Sequence, residues 1–132
     1  GFADKLEALA STYNTPTELL VFGKRPESMR IAARRVYEMG GGIALVEDGK
    51  VILEIPLPIT GMMTDSLSFD QAVKYQDELL SAVKARGYPF HDILYTLLFL
   101  TCDFLPGLRV VPFGLYDVKS NQILRPAVPL TG

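Results

Sequence analysis

Polar and glycine-proline interruptions divide the apolar positions of this chain into short blocks, and the spacing inside each block predicts an element. Residues 4–10 read as a short helix, and the Ser, Thr, Asn and Pro cluster of 11–17 reads as a linker. The apolar run 19–22 stops at Gly23, as a short buried strand does. Pro26 opens a helix in which Met29, Ala32, Ala33, Val36 and Tyr37 recur at the three-and-four spacing of one buried face, while Arg30, Arg34, Arg35 and Glu38 point away. Gly40-Gly41-Gly42 ends that helix. Glycine takes a left-handed cap cheaply, and three in a row also let another segment or a ligand approach the main chain.

Two apolar runs, 43–46 and 51–55, flank Glu47-Asp48-Gly49-Lys50, and Asp-Gly between such runs predicts a tight hairpin. Leu53 and Ile55 alternate with Glu54, so one sheet face is packed and the other partly wet. Pro56 stops the strand, and 59–65 has no period and reads as a loop. Ser68 and Gln71 have the spacing of a capping box ahead of a long helix with a stripe of Ala72, Val73, Gln76, Leu79, Leu80 and Val83. His91-Asp92 offers the cap for a second, mostly buried helix over 93–100, ended by Pro106-Gly107. Runs at 108–111 and 115–118 are strand-like, 119–122 turns the chain into a last strand at Ile123 and Leu124, and the tail with Pro126 and Pro129 is irregular.

Strands, then helices, then strands again is a segregated order. It predicts an α+β fold, a largely antiparallel sheet with helices packed against it, in one domain. The 132 residues suit a single core, and with 48% apolar and 21% charged residues the composition is globular. The division expected is a short helix and linker over 1–18 and the folded domain over 19–132. A net charge of −2 with scattered Lys and Arg excludes a counterion-displacing surface, so no nucleic acid is expected. The interrupted apolar stretch 93–105 falls short of the roughly 20 residues that span a bilayer, so no membrane partner is expected either. One cysteine and no visible signal peptide point to the cytoplasm, and a start at Gly1-Phe2-Ala3 without methionine predicts a processed or truncated chain.

The search for chemistry yields no catalytic residues. A hydrolytic metal needs several His, Asp, Glu or Cys ligands around an open position, and His91 is the one histidine. Cys102 follows an apolar helix, at the wrong end for activation as a nucleophile. No serine sits in Gly-x-Ser-x-Gly, and the glycine triplet follows a helix and precedes a strand, the reverse of a phosphate-binding loop. Met29 and Met39 belong to a helix. Met62 and Met63, beside Thr64-Asp65, either fold over the domain's own core or form a surface that meets another domain or lines a pocket. Gly41, Gly42, Met63, Thr64 and Asp65 are therefore the candidates for ligand or interdomain contact: two permissive backbone positions and a loop carboxylate.

Gly40-Gly41-Gly42-Ile43, the hairpin Glu47-Asp48-Gly49-Lys50-Val51, Leu53-Glu54-Ile55-Pro56-Leu57-Pro58-Ile59 and Gly61-Met62-Met63-Thr64-Asp65, in that order, resemble the C-terminal domain of the adenine deaminases. Tyr95-Thr96-Leu97-Leu98-Phe99-Leu100, Leu105-Pro106-Gly107-Leu108-Arg109 and Gly114-Leu115-Tyr116-Asp117-Val118 are similar to that family's closing elements, so the resemblance runs over about 19–124. It implies an accessory domain of an amidohydrolase of purine metabolism, a hydrolase that converts adenine and water to hypoxanthine and ammonia. It also implies no cofactor in this chain: the divalent metal (Mn, Fe or Zn) and the catalytic acid and base belong to a preceding barrel domain of the same polypeptide, which is the implied partner. Where the family carries His-Asp-Ser-His-Asn before the first strand, this chain reads Asn14-Thr15-Pro16-Thr17-Glu18, which marks a divergent branch. The alternative reading is a stand-alone small-molecule-binding or oligomerisation domain, including a homo-oligomer, that kept the fold without the enzyme.

Overall fold

The computed structural model describes residues 2–16 and 18–129. Its centre is a four-stranded antiparallel sheet of β1 (Ala8–Ser11), β2 (Leu20–Gly23), β3 (Gly42–Glu47) and β4 (Lys50–Pro56), in the order β2-β1-β3-β4. Helix α1 (Pro26–Glu38) covers one face, and α2 (Phe69–Ala85) and α3 (Ile93–Phe99) contribute to the core on the other. A second antiparallel sheet, β5 (Leu108–Val111), β6 (Gly114–Asp117) and β7 (Gln122–Pro126), follows in sequence order. The result is a single small α+β domain.

The sequence predicts a helix over 4–10; the structure instead has β1 there, in the middle of the sheet. Strand β1 pairs with β2 and β3, with Leu9 opposite Leu45 and Ala10 opposite Ala44. Both its faces are buried, so Ala-Leu-Ala-Ser carries no polar alternation to mark it as a strand, and alanine and leucine bias it toward helix. Residues 8–11 are thus part of the sheet, while 12–16, within the stretch expected as a linker, runs as a bend and turn between β1 and β2.

The two faces differ in residue size. Ala8, Ala10, Ala44 and Val46 meet Ala32 and Val36 of α1. Leu9, Ile43, Leu45 and Ile55 meet Leu79, Val83, Ile93 and Leu97 of α2 and α3. Small side chains let a helix come close, and bulky ones fill the wider space under two. The buried line of α1 is Ser28, Ala32 and Val36, whereas Tyr37, expected inside, is 85% exposed.

The hairpin turns at Asp48 (φ 49°) and Gly49 (φ 69°), as expected for Asp-Gly. Ser68 caps α2 in a full capping box: the Gln71 amide donates to Ser68 Oγ at 3.3 Å, and the Ser68 amide donates to Gln71 Oε1 at 2.8 Å. Only the second half of the α2 stripe is buried, at Leu79 and Val83; Ala72, Val73 and Gln76 are exposed and line a cavity of about 180 Å³ with Ile55 and Leu57. At the far end Tyr88, 3% exposed, donates to the Asp92 carbonyl at 2.8 Å and joins the two helices. The last strand reaches Pro126, beyond its expected end, and 127–129 is irregular.

Candidate functional site

The glycine corner is built by strand β1 continuing into Thr12. Thr12 Oγ1 accepts from the Gly42 amide at 2.8 Å and donates to the Gly61 carbonyl at 2.9 Å, fastening the 57–61 loop over the end of α1. Gly41 (φ 125°) and Gly42 (φ 138°) admit this loop. A Cβ on Gly42 would lie 2.1 Å from the Ile55 carbonyl oxygen, and one on Gly41 would lie 2.8 Å from that of Leu57. The amides here are used internally: Gly40 and Gly41 donate to the Tyr37 and Val36 carbonyls, each at 3.0 Å, and Gly42 to Thr12. No row of amides is left to hold an anion. The segment that comes close to the glycines is the chain's own, although Gly41 still borders a cavity of about 400 Å³ with Thr12, Tyr37 and Thr60.

In the 59–65 loop, Ile59 and Met63 exchange backbone hydrogen bonds, each 3.0 Å, around a turn with positive φ at Thr60 and Gly61. Met63 is 55% exposed. Thr64 Oγ1 accepts from the Ser66 amide at 3.2 Å and lies 2.9 Å from Ser66 Oγ, so the hydroxyl serves its own turn. Asp65 is exposed. Gly41 borders one cavity and Thr64 the separate small one under α2; neither is lined by Met63 or Asp65. The five candidates thus flank one loop without converging on a shared space.

A cavity of about 480 Å³ lies elsewhere, between the second sheet, the end of α3 and the turn after β1. Asn14, fully buried, holds that turn: its Oδ1 accepts from the Glu18 amide at 3.0 Å and its Nδ2 donates to the Glu18 carbonyl at 2.6 Å. The Thr15 amide donates to the Leu98 carbonyl at 3.2 Å, and Thr15 Oγ1 lies 2.6 Å from Cys102 Sγ. Thr15, Pro16 and Glu18 form one wall, and Phe113, Tyr116 and Ile123 stand opposite. Thr17 of the same stretch lies outside the described residues. Sequence reasoning did not single out this cavity, because its lining comes from three segments far apart in the chain. The one signal was that its first wall is the stretch that departs from the family's two histidines.

Two carboxylates elsewhere are held by close partners. Arg35 Nε and a terminal nitrogen donate to Glu54 at 2.6 and 2.8 Å, and this bond holds the Glu54 carboxyl below its ordinary value. Glu7 accepts from the Ser28 hydroxyl, from the Asp48 amide at 2.9 Å and from the Gly49 amide at 3.4 Å, with Arg25 nearby. Its carboxyl is lowered from 4.5, first by the Ser28 hydroxyl and then by the Asp48 amide. His91 is exposed and Cys102 buried, and among the described residues no three His, Cys, Asp or Glu side chains gather as metal ligands. The hydrolytic metal that the resemblance implies does not fit these donors, and no step through a metal belongs to them.

The fold and its sites therefore define a small α+β domain with clefts, in which no ligand set for a hydrolytic metal gathers among the described residues. A sequence model of the adenine deaminase C-terminal domain matches residues 1–122, and the chain belongs to that family. It is 40% identical over 130 residues to a Bacillus cereus protein and 35% identical over 128 residues to a Bacillus subtilis protein, each named "putative adenine deaminase". It is also 36% identical over 104 residues to the adenine deaminase of Kosmotoga olearia. The matches cover 98%, 97% and 79% of this chain but 22%, 22% and 18% of those proteins, so the chain spans about a fifth of the length of these relatives. Among the described residues no helix is long and apolar enough to cross a membrane.

Proposed function

We propose that this chain acts as the non-catalytic C-terminal domain of an adenine-deaminase-like, metal-dependent amidohydrolase of the cytoplasm, packed on a catalytic barrel domain of the same polypeptide. The observation that carries this reading is the length relation: nearly the whole chain matches, and it matches only 22% of the Bacillus cereus relative. The donor set supports it, since a lone exposed histidine cannot hold and tune a metal that activates water. In this reading a divalent metal, Mn, Fe or Zn, and the acid and base of adenine hydrolysis lie in the barrel, and Gly41, Gly42, Met63, Thr64 and Asp65 shape a loop for interdomain contact. The test is ammonia release from adenine by the purified chain supplied in turn with each of the three metals. No release above the protein-free rate is expected; turnover by the chain alone would refute a non-catalytic role.

The cavity of about 480 Å³ favours a second reading, a stand-alone small-molecule-binding domain, since its volume lies within the range of ligand pockets. Calorimetry with purines distinguishes it, because binding by the isolated chain is expected only under this second reading.

A further inference from the structure

Among the described residues, the sheet of β5, β6 and β7 lacks the cover that a three-stranded sheet ordinarily needs. Arg109, Val111, Tyr116 and Ile123 share one face by register, and Leu108, Val110 and Leu115 the other. All five residues of β7 are exposed, and no residue of the sheet is fully buried. Toward the first face lies the large cavity, at which Phe104 is 70%, Phe113 72% and Ile123 47% exposed. Three large apolar side chains lining one open space form a contiguous patch of the kind that marks an interaction surface. Glu18 and Asp103 also line it, and no lysine or arginine does.

Resting on the reading proposed above, we infer that this cleft is the docking surface for the rest of an adenine-deaminase-type polypeptide, which inserts apolar side chains between Phe104, Phe113 and Ile123 and sets a basic group against Glu18 and Asp103. The relatives carry about four-fifths of their length outside the matched part, which supplies the partner, and the acidic rim gives the sign of the partner's charge. The glycine corner is a weaker candidate for the main contact, though its loop can add to it, because the chain's own residues already fill the approach to Gly41 and Gly42. The uncovered half of α2 is a poorer one because its helix is held at both ends, by its capping box and by Leu79 and Val83 in the core.

The test compares the free chain with a chimera in which it replaces the matching segment of the Bacillus cereus relative. Amide exchange over 104–117 is expected to slow about tenfold or more in the chimera while α1 stays unchanged. Phe104→Ser with Phe113→Ser is expected to abolish that slowing and to leave the Tm of the free chain within about 2 °C, whereas Tyr37→Ser and Phe69→Ser leave the slowing intact. Slowing over another surface with 104–117 unchanged would overturn the assigned face while sparing the accessory-domain reading. Slowing nowhere would overturn both. A free chain that dimerises through this cleft, and loses the dimer on Phe113→Ser, would assign it to a second copy and overturn the inference.

Discussion

Gly42 and Gly49 both have positive φ, at 138° and 69°, yet the space around them differs. A methyl group on Gly49 meets no atom within 4 Å, whereas on Gly42 it falls 2.1 Å from the Ile55 carbonyl oxygen. Gly49→Ala should therefore cost about 1 kcal/mol, the price of a left-handed alanine. Gly42→Ala should cost about 3 kcal/mol or more, because β4 must also move. Urea unfolding of the two variants at equal m-value checks the ordering, and equal losses would show that the contact is relieved without strain. The glycine triplet was legible as a helix stop; that the segment crowding it is the end of β4 and the loop after it, residues 55–61, was not, since the chain order gives no hint of that neighbour.

At the scale of elements, the Glu7 carboxylate joins the start of β1 to Ser28 of α1 and to the Asp48-Gly49 turn. Its carboxyl is lowered in the folded protein, so its contribution is present above the unfolded value and is lost as pH falls through the folded one. Thermal melts of wild type and Glu7→Gln should differ most at about pH 7 and converge toward about pH 3. A gap that stays constant over this range would mean that the charge of Glu7 is not what the clamp uses. Elements specified by neighbouring residues were readable from the chain: the Ser68-Gln71 box, the Asp-Gly turn and the Pro26 helix start. Strand β1 was not, because burial on both faces erases the alternation by which strands are recognised. The first half of the α2 stripe was over-read, since periodicity reports which face is apolar and not whether a partner reaches it.

For the whole molecule, the position of β1 makes the first residues indispensable. Among the described residues β2 pairs with β1 alone, and β1 separates it from β3. Deletion of residues 2–18 should abolish cooperative melting followed by circular dichroism, because Leu9 leaves the core and both neighbouring strands lose their shared partner. A deletion variant that still melts in one sharp transition would show that the sheet can close without it. The large cavity is likewise a property of the assembled chain. Its walls come from Thr15, Pro16 and Glu18, from 101–104, and from 111–113 with Tyr116 and Ile123, and only folding brings them together.

The same strand has a mechanical side. A polypeptide joined ahead of β1 tugs along a strand bonded on both flanks, so traction loads four residue pairs with β2 and four with β3 together, in shear. Traction from the opposite end first reaches β7, an edge bonded only to β6 among the described residues, which peels one pair at a time. A processive unfolding machine should therefore stall at the front of this domain and run readily from its back.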